Sequence, residues 1–170
     1  SLVQAMRVVR SIMQMPPDKK NLPVQSFRFD QELADKPSWF EYNFIAKNQR
    51  YQYTLSATED RIHEETLISY PKGKESPLFT RTYTPESGER YEFGDALEGD
   101  EIVHNAWKNL TSPKTLFLAQ AVLNSNENLQ QLKTPYEWFR SATICISQDG
   151  MPDWNILTRS MLIQNQKLGN

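Results

Sequence analysis

The feature that most constrains the fold of this chain is the alternation of apolar and polar side chains across residues 39–84. The alternation recurs in four successive segments, at residues 40–44, 51–55, 62–70 and 78–83. A period of two over such lengths is typical of half-buried β-strands, with one face on a core and one in solvent. Short polar turns separate the segments at residues 48–49, 59–60 and 72–74. The pattern therefore predicts an antiparallel β meander.

On the N-terminal side of the meander the period becomes helical. Residues 2–15 predict an amphipathic helix with Ser1 as its N-cap and Pro16 ending it. The apolar face of this helix comprises Leu2, Ala5, Met6, Val9, Ile12 and Met13. Core packing explains that face better than a membrane surface, because only two basic residues, Arg7 and Arg10, lie on the polar face. Residues 24–29 predict a short strand before the meander.

After the meander, residues 91–93 predict one last short strand, and from residue 100 the pattern is mainly helical. The predicted helices cover residues 102–110 (with Asp100 or Gly99 near the cap), 116–123, 129–139 (interrupted at Thr134–Pro135) and 154–163, with a buried strand at 143–147. Helix, sheet and helices in this order predict an α+β class. The three regions are residues 1–15, 24–93 and 100–170, within one domain.

Composition narrows the function classes. The 170 residues carry a net charge of −2 with a pI of about 5.7, which argues against a broad polyanion-binding surface but leaves a local basic patch open. The single Cys145 cannot form a disulfide framework and fits a reducing compartment, as a small buried hydrophobe. No apolar run approaches the ~18 residues of a spanning helix. A soluble, cytoplasmic protein with no membrane partner is expected.

Few residues suggest chemistry of their own. His63 and His104 are the two histidines, and neither has metal-ligand spacing, so a surface or capping role is expected for each. Glu64 and Glu65 point to opposite faces of a strand and cannot form an acid/base dyad; one of them is expected to be solvated at an edge. The aromatic residues of the first two strands, with Lys47 and Arg50, fit either a core or a nucleic-acid stacking face. No G-x-x-x-x-G-K-[ST] motif occurs.

A run of short segments resembles one family. Residues 1–12 resemble the helix that follows the phosphate-binding loop in ABC-like AAA-family ATPases, which are related to the RecF and SMC heads and to the OLD and abortive-infection ATPases of bacteria. The hairpin pattern Y-x-Y … I-x-x-E-x-L of that family is similar to residues 51–53 and 61–67. Four further segments resemble segments of that family and follow in the same order, at residues 23–29, 78–81, 115–119 and 136–139. The similarity spans roughly residues 1–140.

The resemblance implies part of a P-loop NTPase head that begins just after the Walker A motif, with the meander as its β subdomain. It implies ATP and Mg²⁺ as cofactors of the intact protein, a homodimer through the heads, and a nucleic acid or an effector protein as further partner in phage defence or DNA maintenance. Ser1 would follow, or be, the magnesium-binding residue. Gln120 lies where a Q-loop glutamine is sought, although a helix-surface glutamine is the alternative. The rival interpretation is a non-enzymatic α+β interaction domain that uses an edge or face of the meander.

We predict that the isolated 170-residue chain neither binds ATP with micromolar affinity nor hydrolyses it. The resemblance implies that the Walker A lysine, the Walker B carboxylate and the water-positioning base lie outside these residues, so no catalytic or metal-binding residue and no bound cofactor are expected here. Isothermal titration calorimetry with Mg-ATP tests this. A dissociation constant in the micromolar range would contradict the prediction.

Overall fold

The centre of the fold is a five-stranded antiparallel sheet in which each strand pairs with the next along the chain. The computed structural model describes residues 2–14, 21–24, 36–125 and 129–141. The strands are β1 (Ser38–Ala46), β2 (Gln49–Ala57), β3 (Ile62–Tyr70), β4 (Ser76–Thr84) and β5 (Gly88–Phe93). The predicted meander is confirmed, and its last strand begins at Gly88 rather than at residue 91.

The register of the sheet gives it one apolar and one polar face. Two rows of directly opposed residues form the apolar face: Phe40, Leu55, Glu65, Arg81 and Tyr91, and beside them Tyr42, Tyr53, Leu67, Phe79 and Phe93. A row on the other face comprises Glu41, Thr54, Thr66, Thr80 and Glu92. Because side chains alternate along a strand, the period of two seen in the sequence directs one set into the core and the other outward. We call the second face the outer face.

Four α-helices complete the described part of the fold, together with a short 3-10 turn at Pro71–Gly73 in the β3–β4 connection. They are α1 (Leu2–Met13), α2 (Glu101–Leu110), α3 (Phe117–Leu123) and α4 (Gln130–Ser141). Val9, Ile12 and Met13 of α1 are buried in the same core as the sheet, so the prediction of a core-packing helix is confirmed. Strands followed by helices around one core make the class α+β, as predicted. No helix within the described ranges has the length and apolar character needed to cross a membrane.

Local sequence explains where the helices begin and how one of them continues. Asp100 caps α2, as predicted, because its carboxylate accepts a hydrogen bond from the Val103 amide at 2.9 Å. The predicted break at Thr134–Pro135 is wrong: α4 runs through Pro135. Proline removes one helical hydrogen bond, but Leu132, Tyr136 and Phe139 are buried on this helix. Packing of an amphipathic face contributes more to a protein helix than local propensity does.

Several predicted features lie wholly or largely outside the described residues. They are the Ser1 cap, the end of the first helix at Pro16, most of the strand at 24–29, Cys145, the strand at 143–147 and the helix at 154–163.

Gly94 tests the close packing of β4 against the end of β5. Its amide donates to the Leu78 carbonyl at 2.9 Å, and a Cβ at this position would overlap the Pro77 carbonyl. We expect Gly94→Ala to lower the free energy of unfolding by about 1–3 kcal/mol, because backbone must move to accept the methyl group. Chemical denaturation measures this. The exposed neighbour Asp95→Ala is the control, expected within about 0.5 kcal/mol of wild type; equal effects of the two would contradict the prediction.

Candidate functional site

The most deeply buried charged residues of the described chain are Glu65 and Arg81, which lie directly opposite each other on β3 and β4. Glu65 is 0% exposed and Arg81 is 1% exposed. Charged side chains are almost never buried so fully unless they are paired. Tyr53 and Glu89 contact this pair, and we call the four residues the ionic cluster.

The Glu65 carboxylate joins the sheet to the start of α3. Its Oε2 accepts a hydrogen bond from the Phe117 amide at 2.6 Å, and its Oε1 accepts one from the Leu118 amide at 3.0 Å. The Tyr53 hydroxyl donates to Oε1 at 3.0 Å. The first amides of a helix have no partner within the helix, and Leu116 at the N-cap position has no side-chain acceptor. Glu65 therefore takes the place of a capping residue, from a strand more than fifty positions away.

Arg81 binds both the last strand and the loop before α3. Its Nε and Nη2 donate to the two carboxylate oxygens of Glu89 at 2.9 and 3.1 Å. Its Nη1 donates to the Thr115 carbonyl at 2.7 Å, and Nη2 also donates to the Ser112 carbonyl at 3.0 Å. The Glu65 carboxylate lies 3.9 Å from Nη1. The planar guanidinium presents several donors in a fixed geometry, and here it connects β3, β4, β5 and the loop.

The two carboxyl groups of the cluster have opposite electrostatic environments. Burial raises the pKa of Glu65 above its ordinary value, and Arg81, the two α3 amides and Tyr53 act against that rise. Partial burial also acts to raise the pKa of Glu89, but its hydrogen bonds and ion pairs with Arg81 and Arg61 outweigh burial and lower it. Burial acts to lower the pKa of Arg81, but Glu89 and Glu65 keep it raised. Arg81 is thus a permanent cation between two carboxyl groups.

The cluster is built to hold elements together. Every contact of the Glu65 carboxylate is made with a donor of the protein itself, and the residue has no exposed surface. A general acid or base must reach the proton that it transfers to or from a substrate. The enclosed Glu65 therefore serves as an anchor for α3 rather than as a proton donor.

A partly exposed rim extends the cluster towards solvent. The Arg61 Nη2 donates to Glu89 Oε1 at 2.7 Å, and the Arg61 guanidinium carbon lies 3.0 Å from the centre of the Tyr83 ring. His63 packs against Tyr83 and lies 3.3 Å from the Thr58 hydroxyl. Burial, together with the charge of Arg61, lowers the pKa of His63. The rim covers the end of the cluster with side chains that are already bound to one another.

The predicted nucleotide-binding residues lie apart from the ionic cluster or outside the described chain. Ser1 is outside the described residues. Gln120 lies on α3, half-buried, and its Oε1 accepts a hydrogen bond from the Asn124 side chain at 3.0 Å. Its nucleotide-binding role stays a prediction. The cluster nevertheless fixes the helix that carries Gln120, because Glu65 binds the amide of Phe117 three residues earlier.

The histidines and glutamates agree only in part with the expectations from the sequence: both histidines are partly buried, and Glu64 and Glu65 lie on β3, the central strand, rather than at an edge. His104 on α2 lies with its Nε2 3.0 Å from the Glu98 carbonyl. Among the described residues no group of three or more His, Cys, Asp or Glu is arranged to hold a metal ion. Glu64 is on the outer face and partly exposed, whereas Glu65 is buried. The sequence patterns do not predict the ionic cluster. The one available signal is the alternation, which places Glu65 on the same buried face as Leu67 and Arg81 on the same buried face as Phe79.

The aromatic residues of β1 and β2 belong to the core. Tyr42, Phe44, Tyr51 and Tyr53 are all buried. The Phe139 ring of α4 lies 5.1–5.4 Å from those of Tyr42, Phe44 and Tyr53. The stacking of nucleic-acid bases on these four rings is therefore excluded in this fold. Trp39 differs, since it is 58% exposed on the outer face.

Comparison with protein-family models, with curated proteins and with solved structures found no match to this chain.

Two opposed tyrosines test the ionic cluster. Tyr53 and Tyr42 are cross-strand neighbours and both are buried, but the Tyr42 hydroxyl has no hydrogen-bond partner among the described residues. We expect Tyr53→Phe to lower the free energy of unfolding by about 1–3 kcal/mol, because the buried Glu65 carboxylate loses a donor. Tyr42→Phe is the matched control, expected to be neutral or stabilising. Urea denaturation measures both, and equal losses would contradict the assignment.

The acid sensitivity of the fold tests Glu89. A carboxyl group whose folded pKa is lowered stabilises the fold above its ordinary pKa, and that contribution is lost as the pH falls towards the folded pKa. We therefore expect the stability of the wild type to fall below about pH 4.5, the ordinary value, more steeply than that of Glu89→Gln. Glu65 changes stability in the opposite direction, because its folded pKa is raised. Thermal unfolding from pH 3 to pH 7 checks this, and parallel curves for the two proteins would refute it.

Proposed function

We propose that this chain is part of the ATP-binding head of a cytoplasmic ABC-like AAA-family ATPase. In this proposal α1 follows the phosphate-binding loop and the meander is the antiparallel β subdomain. ATP and Mg²⁺ bind to the intact protein between two heads, and hydrolysis drives the heads apart. Phage defence or DNA maintenance is the proposed process. Gln120 and Ser1 contribute to the nucleotide site.

The observation that carries this proposal is that the segments resembling the family come together in the ionic cluster. Four of them, residues 51–53, 61–67, 78–81 and 115–119, each supply a group to the ionic cluster. These groups are the Tyr53 hydroxyl, the Glu65 carboxylate, the Arg81 guanidinium, and the Thr115 carbonyl with the Phe117 and Leu118 amides. Phe139, from a fifth segment, packs its ring against Tyr53.

This convergence supports the resemblance for a physical reason. Two of the residues that the family pattern specifies, Tyr53 and Glu65, supply polar groups to this buried network. The glutamate of the I-x-x-E-x-L pattern, Glu65, and the arginine of residues 78–81 are direct cross-strand partners. The residues of the resembling segments thus act together in one contact network of this fold.

The order and polarity of the elements also support the proposal. An amphipathic helix precedes the meander, and α2, α3 and α4 follow it, in the sequence that the resemblance implies. The free amides and dipole at the N-terminal end of a helix favour phosphate groups. In this proposal the nucleotide phosphates lie at the beginning of α1, and the Walker A lysine comes from residues before Ser1.

The coding sequence immediately before Ser1 is the direct test. We expect a G-x-x-x-x-G-K-[ST] motif to end within about ten codons of Ser1. The extended protein should then bind Mg-ATP, and replacement of the motif's lysine by alanine should abolish binding. A stop codon or an unrelated stretch in place of the motif would overturn the proposal.

A second candidate, a non-enzymatic interaction domain, is favoured by one observation. Edge strand β1 exposes two large apolar side chains, Trp39 at 58% and Ile45 at 70%. An edge strand with exposed apolar residues is a ready site for pairing with a partner strand. This candidate replaces the ATPase proposal if no phosphate-binding motif precedes Ser1 and if charged substitutions at Trp39 and Ile45 abolish capture of a purified partner.

A further inference from the structure

Two turns of the meander lie at the same end of the sheet and carry most of its exposed positive charge. The β1–β2 turn carries Lys47, with Arg50 just inside β2, and the β3–β4 connection carries Lys72 and Lys74. All four side chains are exposed. We call these four residues the basic turn patch. Glu75 is the single acidic residue in the two connections, whose residues are all described, so the patch is locally positive on a chain of net charge −2.

Two of these lysines hold an uncommon backbone conformation. Lys47 has φ 49° and Lys72 has φ 54°, both in the left-handed region. Glycine and asparagine adopt this region far more readily than lysine does. The neighbouring residues Asn48 and Gly73 have positive φ as well, as the turn geometry requires. Lysine at such positions costs stability, which points to a use for its side chain. The Lys47 ammonium donates a hydrogen bond to Gln130 Oε1 of α4 at 3.3 Å on the exposed surface, and its charge remains at the surface.

The patch has the shape to meet two lines of negative charge. Adjacent strands are about 4.8 Å apart, so the two turns, separated by two strand positions, lie about 10 Å apart. The major groove of duplex DNA is about 12 Å wide between its phosphate lines. Between the turns, the Arg50 guanidinium lies 4.0 Å from the centre of the Tyr70 ring, which orients it on the outer face.

We propose that the basic turn patch binds the phosphate backbone of a nucleic-acid duplex. Such binding would be independent of ATP binding by the intact protein. Phosphate contacts in protein–DNA complexes come from Lys and Arg and also from Asn and Gln side chains, and Asn48 and Gln49 adjoin the patch. On the strands and turns of β1–β4 at this end, Ile45 is the one exposed large hydrophobic residue, which gives a lipid surface little to insert against. One acidic side chain lies near the Lys47 end of the patch, because Glu98 accepts a hydrogen bond from the Gln131 amide at 3.1 Å and the preceding residue, Gln130, accepts one from Lys47.

The test measures fluorescence anisotropy of a labelled duplex of about 20 base pairs with the 170-residue chain, from ~50 to ~200 mM salt. The patch variant is Lys47→Gln, Arg50→Gln, Lys72→Gln and Lys74→Gln combined. The control variant has the same net charge and removes four exposed cations elsewhere: Lys36→Gln, Arg90→Gln, Lys108→Gln and Arg140→Gln. We expect the patch variant to bind at least about tenfold more weakly at ~50 mM salt and to lose about 3–4 from the slope of log K against log salt. The control variant should keep most of the affinity for the duplex and most of the salt dependence.

A second variant separates binding from folding. Lys47→Asn with Lys72→Asn removes two charges and puts a residue suited to positive φ at each position. We expect its melting temperature to rise while its DNA affinity falls. A lower melting temperature would show that the lysines are structural and would overturn the use proposed for their charge.

Three other outcomes overturn the proposal. One is no salt-dependent binding up to about 100 μM protein. Another is equal loss of affinity in the patch and control variants. The third is binding to vesicles rich in phosphatidylserine without binding to the duplex, which would assign the patch to a membrane surface.

Discussion

The opposition of Glu65 and Arg81 on β3 and β4 is the contact on which the rest of the structure depends. Glu65 holds the amides that begin α3, and Arg81 holds the carbonyls of the loop before it and the carboxylate of Glu89. Burial of two charges costs several kcal/mol per ion unless their hydrogen bonds are completed. A slip of one residue between β3 and β4 would leave Glu65 and Arg81 on opposite faces of the sheet. The cluster therefore specifies the register and the position of α3 together.

The aromatic core and the ionic cluster are one assembly because Tyr53 belongs to both. Its hydroxyl donates to Glu65, and its ring lies 5.1 Å from that of Phe139 on α4. Helix α3 has seven residues and no side-chain cap, so it is too short to be stable in isolation. It persists because Phe117 and Leu118 are buried while their amides bind Glu65. The docking of α3 onto the sheet therefore depends on the hydrogen bonds between the Glu65 carboxylate of β3 and the first amides of α3.

The sequence predicts the parts of this fold that depend on local periodicity. The five strands, the Asp100 cap and the amphipathic α1 follow from alternation, turn residues and helical spacing. The ionic cluster does not, because alternation assigns Glu65 and Arg81 to a face without naming their partners, which are distant in sequence. The course of α4 through Pro135 depends on tertiary packing in the same way. Ser1 and Gln120 come from the resemblance alone, and their roles stay proposals.

The two faces of the sheet differ in how accessible they are to a binding partner. Among the described residues, the face towards the helices carries the buried core and the ionic cluster, whose charged groups are bound to one another. The outer face and the turn at Lys47–Asn48 remain accessible. In an ATPase head built this way, β3, β4 and α3 would move as one unit, because the ionic cluster ties them together.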